Sequence, residues 1–439
     1  MEKLQRFLSK WLLPIAAKLE KNKQLSAIRK GMMTLVPVTL VGSVPMIFMQ
    51  LPNIPNAPQW LLNPIIYIGK ITNPIYFATF GCMSLFVAAF IGYYYALERK
   101  VWDIGSIVTA LMSFITVATL TNDKGVQDFS YYSGTGIFVA IIVALISVEI
   151  LHIFKNKLKF TINLGEGVPT PIKRSFENLW PILFSVLIIA ILKFFIEKFT
   201  GVPVVKTVEV LFKPLTASVN TLPGIIFILF IQQLLWWFGI HGYAVTSPIW
   251  LAVAFQNADA NAAMLKAGVA SSQMFILTPN FMWDMASLSG SGIIGALAIL
   301  MLFSKSKRYK AIGKLSIIPE FFGIGEPVLF GIPVILNPIM FIPLLITSPV
   351  AATIGWYAIK TGFVQPFKMV GPYLPIPFGA TIASMDYKYV FVAIAIIASA
   401  VVIYYPFFKI VEKQAIEKER AAEGKNVEKS LDDFDFDFE

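Results

Sequence analysis

Residues 31–69, 71–97, 104–122, 214–258, 285–304, 327–359 and 389–408 of this chain contain no Asp, Glu, Lys or Arg. About 20 apolar residues of helix cross the hydrocarbon core of a bilayer, so several of these windows are long enough to do so. Peptide groups in lipid must be satisfied within their own segment, which makes continuous apolar runs helices. The runs also lack the period-two alternation, in segments of about ten residues, that marks a membrane β-barrel. Composition agrees: of 439 residues, 56% are hydrophobic and 14% charged, against roughly 25% charged in a soluble domain. The sequence predicts an all-α polytopic membrane protein.

Charge placement predicts the topology. The final stretch, 412–439, holds ten acids against five bases, so the net charge of +10 understates how basic the rest is. Bases cluster at Lys3–Lys30, Arg99–Lys100, Lys155–Arg174 and Lys305–Lys314, and the positive-inside rule puts all four clusters in the cytoplasm. Membrane topology thus accounts for the basic balance, and no nucleic-acid partner is implied. With the N-terminus inside, spans near 31–51, 75–97, 104–121, 134–154 and 178–197 are followed by spans near 222–240, 244–262, 286–303, 334–359 and 388–411. That gives ten, and eight also satisfies the parity. The first 30 residues carry eight bases, two acids and no early apolar core, so no cleavable signal peptide is expected.

The chain divides by character. Residues 1–30 read as an amphipathic helix lying on the cytoplasmic surface, with Leu4, Phe7, Leu8, Trp11, Leu12 and Ile15 opposite Lys3, Arg6, Lys10 and Lys18. Residues 31–200 form a scaffold with almost no ionisable group deep in a span; Glu149, His152 and Lys193 sit near ends, His152 at the interface. Residues 201–221 form a second interfacial amphipathic helix linking two halves. Residues 222–411, broken by Gly and Pro and holding His241, Asp284, Glu320 and Glu326, are expected to hold the substrate site, because irregular backbone at membrane depth survives only where it lines a cavity or is buried in protein. Residues 412–439 are a charged cytoplasmic tail, read either as disordered or as docking a basic partner. The lone Cys82 reads as a small buried hydrophobe, which excludes disulfides, cysteine-based metal sites and a cytosolic phospho-carrier thiol.

Three groups could carry chemistry. Glu326 stands in FFGIGEPVLFGIP; a carboxylate at membrane depth is expensive and marks a functional site, while the flanking glycines and Pro327 describe a re-entrant tip presenting it to a polar cavity. His241, in WWFGIHGYAVTSP, is the only group titrating near neutral pH between 214 and 258 and can both donate and accept hydrogen bonds. In PNFMWDMASLSGSG, Asn280 and Asp284 are spaced i, i+4 on one helix face, and Trp236, Trp237, Trp250 and Trp283 are nearby. Polar groups beside flat aromatic bodies suit a sugar, although tryptophans also line membrane interfaces. Two histidines and isolated acids make no zinc site, and no phosphate-binding GxxxxGK[ST] loop occurs, so neither a metal nor a nucleotide cofactor is implied.

AIRKGMMTLVPVTLVGS at 27–43, NLGEGVPTPIKRSFENLWP at 163–181, WFGIHG at 237–242 and GIGEPVLFGIP at 323–333 resemble the EIIC membrane subunits of bacterial sugar phosphotransferase systems, in the lactose/cellobiose/diacetylchitobiose group. The resemblance runs over residues 1–411. It implies a homodimer in the bacterial cytoplasmic membrane, with a five-span N-terminal scaffold and a C-terminal transport domain containing two re-entrant hairpins. It implies that a disaccharide is carried inward by rigid-body motion and that its 6-hydroxyl is phosphorylated by a phosphocysteine on a separate EIIB protein. By the same resemblance Glu326 hydrogen-bonds that hydroxyl and is its candidate base, His241 lies in the site, and Asn280 and Trp236 contact sugar; Asp284 and Trp283 complete the expected set. VGPYLPIPFGATIASMD at 370–386, which lacks Trp, and SLSGSG at 287–292 depart from the family pattern. The competing class is a proton-coupled secondary sugar transporter that uses Glu326 as proton carrier; a non-transporting membrane sensor is a third.

Overall fold

The computed structural model describes residues 18–432, except 19, 20, scattered positions between 36 and 58, and 122–124, 166, 324, 333 and 372–374; side chains at 59–62, 103, 326, 330 and 422–432 are likewise outside the description. Most of the expected N-terminal amphipathic helix, residues 1–17, and the acidic Phe-containing end, 433–439, therefore lie outside the described residues, and the first expected span is covered only in part.

The described chain is helical almost throughout, with a single two-residue hairpin pairing Leu120–Thr121 with Gln127–Asp128. Helices α1 (Lys23–Met33), α2 (Gln59–Thr79), α3 (Met83–Arg99), α4 (Asp103–Ala118), α5 (Ile137–His152) and α6 (Leu179–Thr200) come first. Then follow α7 (Val204–Val219), α8 (Leu222–Trp237) and α9 (Gly242–Lys266). Five helical stretches among the described residues are long and apolar enough to cross a bilayer: Asn63–Arg99, Gly134–Lys157, Thr170–Thr200, Pro338–Lys360 and Tyr389–Ala421. The α7–α8 pair, bent by 81°, adds a sixth if it is taken as one span. The bend falls where the Thr221 hydroxyl caps α8 by accepting from the Gly224 N–H at 3.2 Å, next to Pro223 in the first turn, where a missing N–H costs nothing.

The other expected spans are less regular for physical reasons. Helix α9 buries Asn257, Asp259 and Asn261 along its length. The stretch expected as a span at 286–303 is interrupted between Ala286 and the start of α10 (Gly295–Leu302). After it come α11 (Lys307–Phe321) and the short α12 (Glu326–Gly331), packed against each other across a turn. Next are α13 (Pro338–Lys360), the short α14 (Phe378–Ser384) and the long α15 (Tyr389–Asp432). Cys82 departs from the expectation of burial: it is half-buried in the short turn between α2 and α3, where Phe80 takes the interior position.

Helix α3 packs on α1, α4 and α5, and α6 on α4 and α5; α13 packs between α8 and α15, and α10 between α11 and α15. Lipid chains are as apolar as leucine, so helix association in a bilayer depends on close contact through small residues and on hydrogen bonds. At Gly92 of α3, an added Cβ would lie 2.7 Å from the Ala110 Cβ of α4. Charges are tied off at helix ends. Arg99 pairs with Glu149 at 2.6 Å while the Tyr95 hydroxyl donates to the same carboxylate at 2.7 Å, Lys30 pairs with Glu98 at 3.1 Å, and His152 bonds Asn156 at 3.1 Å. Lys193 donates to the Thr116 carbonyl at 2.9 Å, a cation neutralising the negative end of α4.

Gly92→Leu is expected to force α3 and α4 apart, costing about 1–3 kcal/mol and lowering the melting temperature of detergent-solubilised protein; a wild-type melting curve would show that this approach is not needed.

Candidate functional site

Helix α8 ends in Trp236 and Trp237, and a turn through Gly239 delivers His241 as the residue that caps α9. Its Nδ1 accepts from the Ala244 N–H at 3.2 Å, so the neutral ring carries its proton on Nε2. The imidazole lies against Trp236, ring centroids 4.5 Å apart. Two residues on, the Tyr243 hydroxyl accepts from Trp283 Nε1 at 3.4 Å, and its ring meets the fully buried Trp250 edge to face at 5.7 Å. His241 itself is exposed, on an aromatic wall that its neighbours hold rigid.

The facing wall is the interruption before α10. Ser289, Gly290, Gly292 and Ile293 all have φ between +50° and +88°, a left-handed run that a continuous helix excludes and that costs a side-chain-bearing residue strain. The peptide groups so freed are taken up by neighbouring helices. The Gly292 N–H donates to Ser348 Oγ at 3.1 Å, and the Gly292 carbonyl accepts from Thr347 at 2.7 Å and Tyr404 at 2.8 Å. Gln233 reaches the same Ser348 hydroxyl at 3.2 Å. Gln232 accepts from Thr246 at 3.0 Å and donates to Ser291 Oγ at 3.3 Å, which orients that hydroxyl at the cavity edge.

Two further turns meet this loop. A Cβ built on Gly290 would lie 3.1 Å from both the N and Cα of Gly325, so the SGSG loop and the GIGEP turn touch backbone to backbone, an approach open only to glycine. From the segment ahead of α14, the Ile376 N–H donates to the Phe321 carbonyl at 2.9 Å. The three turns and the aromatic wall enclose a cavity of about 280 Å³, lined among others by Trp236, His241, Tyr243, Trp283, Asp284 and Ser291.

The sequence-derived residues take different places around it. Trp236, His241, Trp283 and Asp284 line the cavity. Asn280 does not: it is buried behind the wall, donating to Asp284 Oδ2 at 2.8 Å and accepting from the Gly371 N–H at 2.9 Å. The backbone of Glu326 opens α12 directly after Gly325, which lines the cavity; its side chain lies outside the described residues. Glu320 is buried beneath the same turn, its Oε2 3.2 Å from a Cβ built on Gly295. Tyr243, Ser291, Gln232 and Tyr404 also belong to the site. The signal for the glutamine was two adjacent amides, Gln232 and Gln233, inside an otherwise apolar run; buried amides are retained where something needs their hydrogen bonds.

The family model for the phosphotransferase system EIIC component matches residues 29–348. The chain belongs to the EIIC family. This EIIC chain is 29% identical over 436 residues to the lactose-specific EIICB component of Streptococcus mutans, covering 95% of this chain and 74% of that protein. It is 29% identical over 451 residues to the cellobiose-specific EIIC component of Geobacillus stearothermophilus, covering 96% and 97%. Its structure is similar to the crystal structure of the transporter ChbC, the IIC component from the N,N'-diacetylchitobiose-specific phosphotransferase system, with a TM-score of 0.85 and 28% identity, covering 94% of this chain and 99% of that one.

Ser348→Ala removes the acceptor of the buried Gly292 N–H and is expected to cost about 1–3 kcal/mol, read as a lower melting temperature. If the variant melts like the parent, the loop is not held by this hydroxyl.

Proposed function

We propose that this EIIC chain carries a disaccharide of the cellobiose, lactose or diacetylchitobiose type inward across the bacterial cytoplasmic membrane and presents its 6-hydroxyl to the phosphocysteine of a separate EIIB protein. The reading assigns residues 31–200 to a scaffold that dimerises and residues 222–411 to a transport domain that slides against it as an elevator. In this scheme there are about ten spans with both termini cytoplasmic, and the segments leading into α12 and into α14 belong to two re-entrant hairpins.

The observation that carries the proposal is the convergence of three turns on one cavity walled by aromatic rings and polar groups. Its volume is at the small end of ligand pockets. Trp236 and Trp283 offer flat apolar bodies to pyranose ring faces, while Asp284, Ser291 and the Nε2–H of His241 offer acceptors and donors to hydroxyls. Asn280 acts from behind by fixing the Asp284 carboxylate. Relatives named for lactose, cellobiose and diacetylchitobiose point to the same substrate class.

Phosphoryl transfer asks a protein mainly for positioning and charge stabilisation. In the proposed step the Glu326 carboxylate accepts a hydrogen bond from the 6-hydroxyl and takes its proton as the oxygen attacks phosphorus. The phosphocysteine thiolate of EIIB is the leaving group. The product gains about −1.5 to −2 charges, so repulsion by nearby carboxylates favours release into the cytoplasm and makes uptake one-way.

Glu326→Gln keeps the shape and removes the base. Formation of cellobiose phosphate with phosphorylated EIIB is expected to fall about 10²- to 10⁴-fold, with cellobiose binding by calorimetry reduced far less. Undiminished sugar phosphate would remove Glu326 from the mechanism.

A further inference from the structure

Helix α9 carries His241 at its start and lies against α1, α5 and the turn at Gly134–Gly136 that precedes α5. About 27 Å along it, at 1.5 Å per residue, the buried Asp259 carboxylate accepts from the Gly134 N–H at 2.9 Å. One turn earlier Gln256 Nε2 donates to the Thr135 carbonyl at 3.4 Å, and at the end of the same helix the Lys266 ammonium lies 5.1 Å from the centre of the Tyr76 ring in α2. All three contacts join the segment assigned to transport to the segment assigned to the scaffold.

The receiving turn is built to be stiff. The Ser133 and Thr135 hydroxyls both donate to the Ser130 carbonyl at 2.9 Å, and Ser84 of α3 donates to the Ser133 carbonyl. Gly134 is required by approach: a Cβ there would lie 2.5 Å from the Asp259 Cβ. A buried carboxylate is retained only where it is well bonded, yet this one neither lines the sugar cavity nor pairs with a base. Its donor belongs to the other half of the molecule, so its stability depends on the relative position of the halves.

We propose that Asp259 and Gly134 form a conformational latch that holds the two halves in the arrangement seen here and must open for each transport stroke. The inference rests on the sliding motion proposed above. When the transport half moves, the carboxylate leaves its backbone donor, and the latch sets how long the protein dwells in this state.

The test uses the full-length protein with Cys82→Ser, Thr135→Cys and Gln256→Cys, together with a short reducible thiol cross-linker. With no sugar present, the rate of cross-linking reports how often the halves adopt this arrangement. Adding Asp259→Ala should slow it by on the order of tenfold, the worth of one hydrogen bond to a charged group. Asp259→Asn, which keeps the shape and one acceptor, should slow it less and serves if the alanine variant does not fold. Equal rates in the parent and both variants would overturn the latch. The cross-linked protein in vesicles should still bind cellobiose but should not take it up with phosphorylated EIIB, and reduction should restore uptake. Full uptake while cross-linked would show that this junction stays closed during transport. Absence of cellobiose binding before cross-linking would instead count against the substrate assignment and leave the rate comparison standing.

Discussion

A helix interrupted inside an apolar surround strands peptide groups where water does not reach them, and the second half of this chain is organised around that constraint. Between Ser287 and Ile294 the backbone adopts left-handed conformations, and its polar atoms would each cost several kcal/mol if unpaired in hydrocarbon. Thr347 and Ser348 of α13 and Tyr404 of α15 supply the bonds at Gly292, and Gln233 of α8 holds the Ser348 hydroxyl in turn. Those helices are thereby fixed around the loop. The loop in turn gives the GIGEP turn a glycine surface to rest against, and the cavity is what remains between them.

The same economy governs charge. Along the apolar helices the bases and acids that remain are used as ties between chain segments. Glu412 accepts from Ser304 Oγ at 2.7 Å and the Lys305 N–H at 2.8 Å, and Glu419 accepts from Ser306 Oγ at 2.6 Å and the Arg308 N–H at 3.0 Å. The extension of α15 is therefore not merely a charged tail: Glu412 ties down the segment ahead of α11, and Glu419 caps the start of α11, the helix that leads into the GIGEP turn. An acidic group at a helix N-terminus meets both the free N–H groups and the positive end of the dipole.

Much of this was legible in the sequence, and the reasons differ by element. Charge-free windows reveal helices in lipid because the penalty for burying charge there is large and non-specific, so the positions of α3, α4, α8, α13 and the apolar part of α15 follow from composition alone. The i, i+4 spacing of Asn280 and Asp284 announced a contact that exists at 2.8 Å. What spacing could not tell is which partner faces the cavity, because that depends on Gly371, 91 residues away, occupying the other side of Asn280. The adjacent amides of Gln232 and Gln233 stand out in their apolar run, but their partners do not, and Tyr243 and Tyr404 carry no signal at all. A tyrosine is unremarkable in an apolar run until tertiary packing places a freed peptide or an indole N–H beside it. Long-range hydrogen bonds of this kind have no local signature.

The most direct test of the account is a structure of the protein determined with cellobiose bound. The account predicts a sugar ring against Trp236 and His241, beside the junction of Gly290 and Gly325, with its 6-hydroxyl within about 2.6–3.2 Å of a Glu326 carboxylate oxygen. Sugar density at another place, or a Glu326 carboxylate turned toward lipid while the sugar is bound, would contradict it.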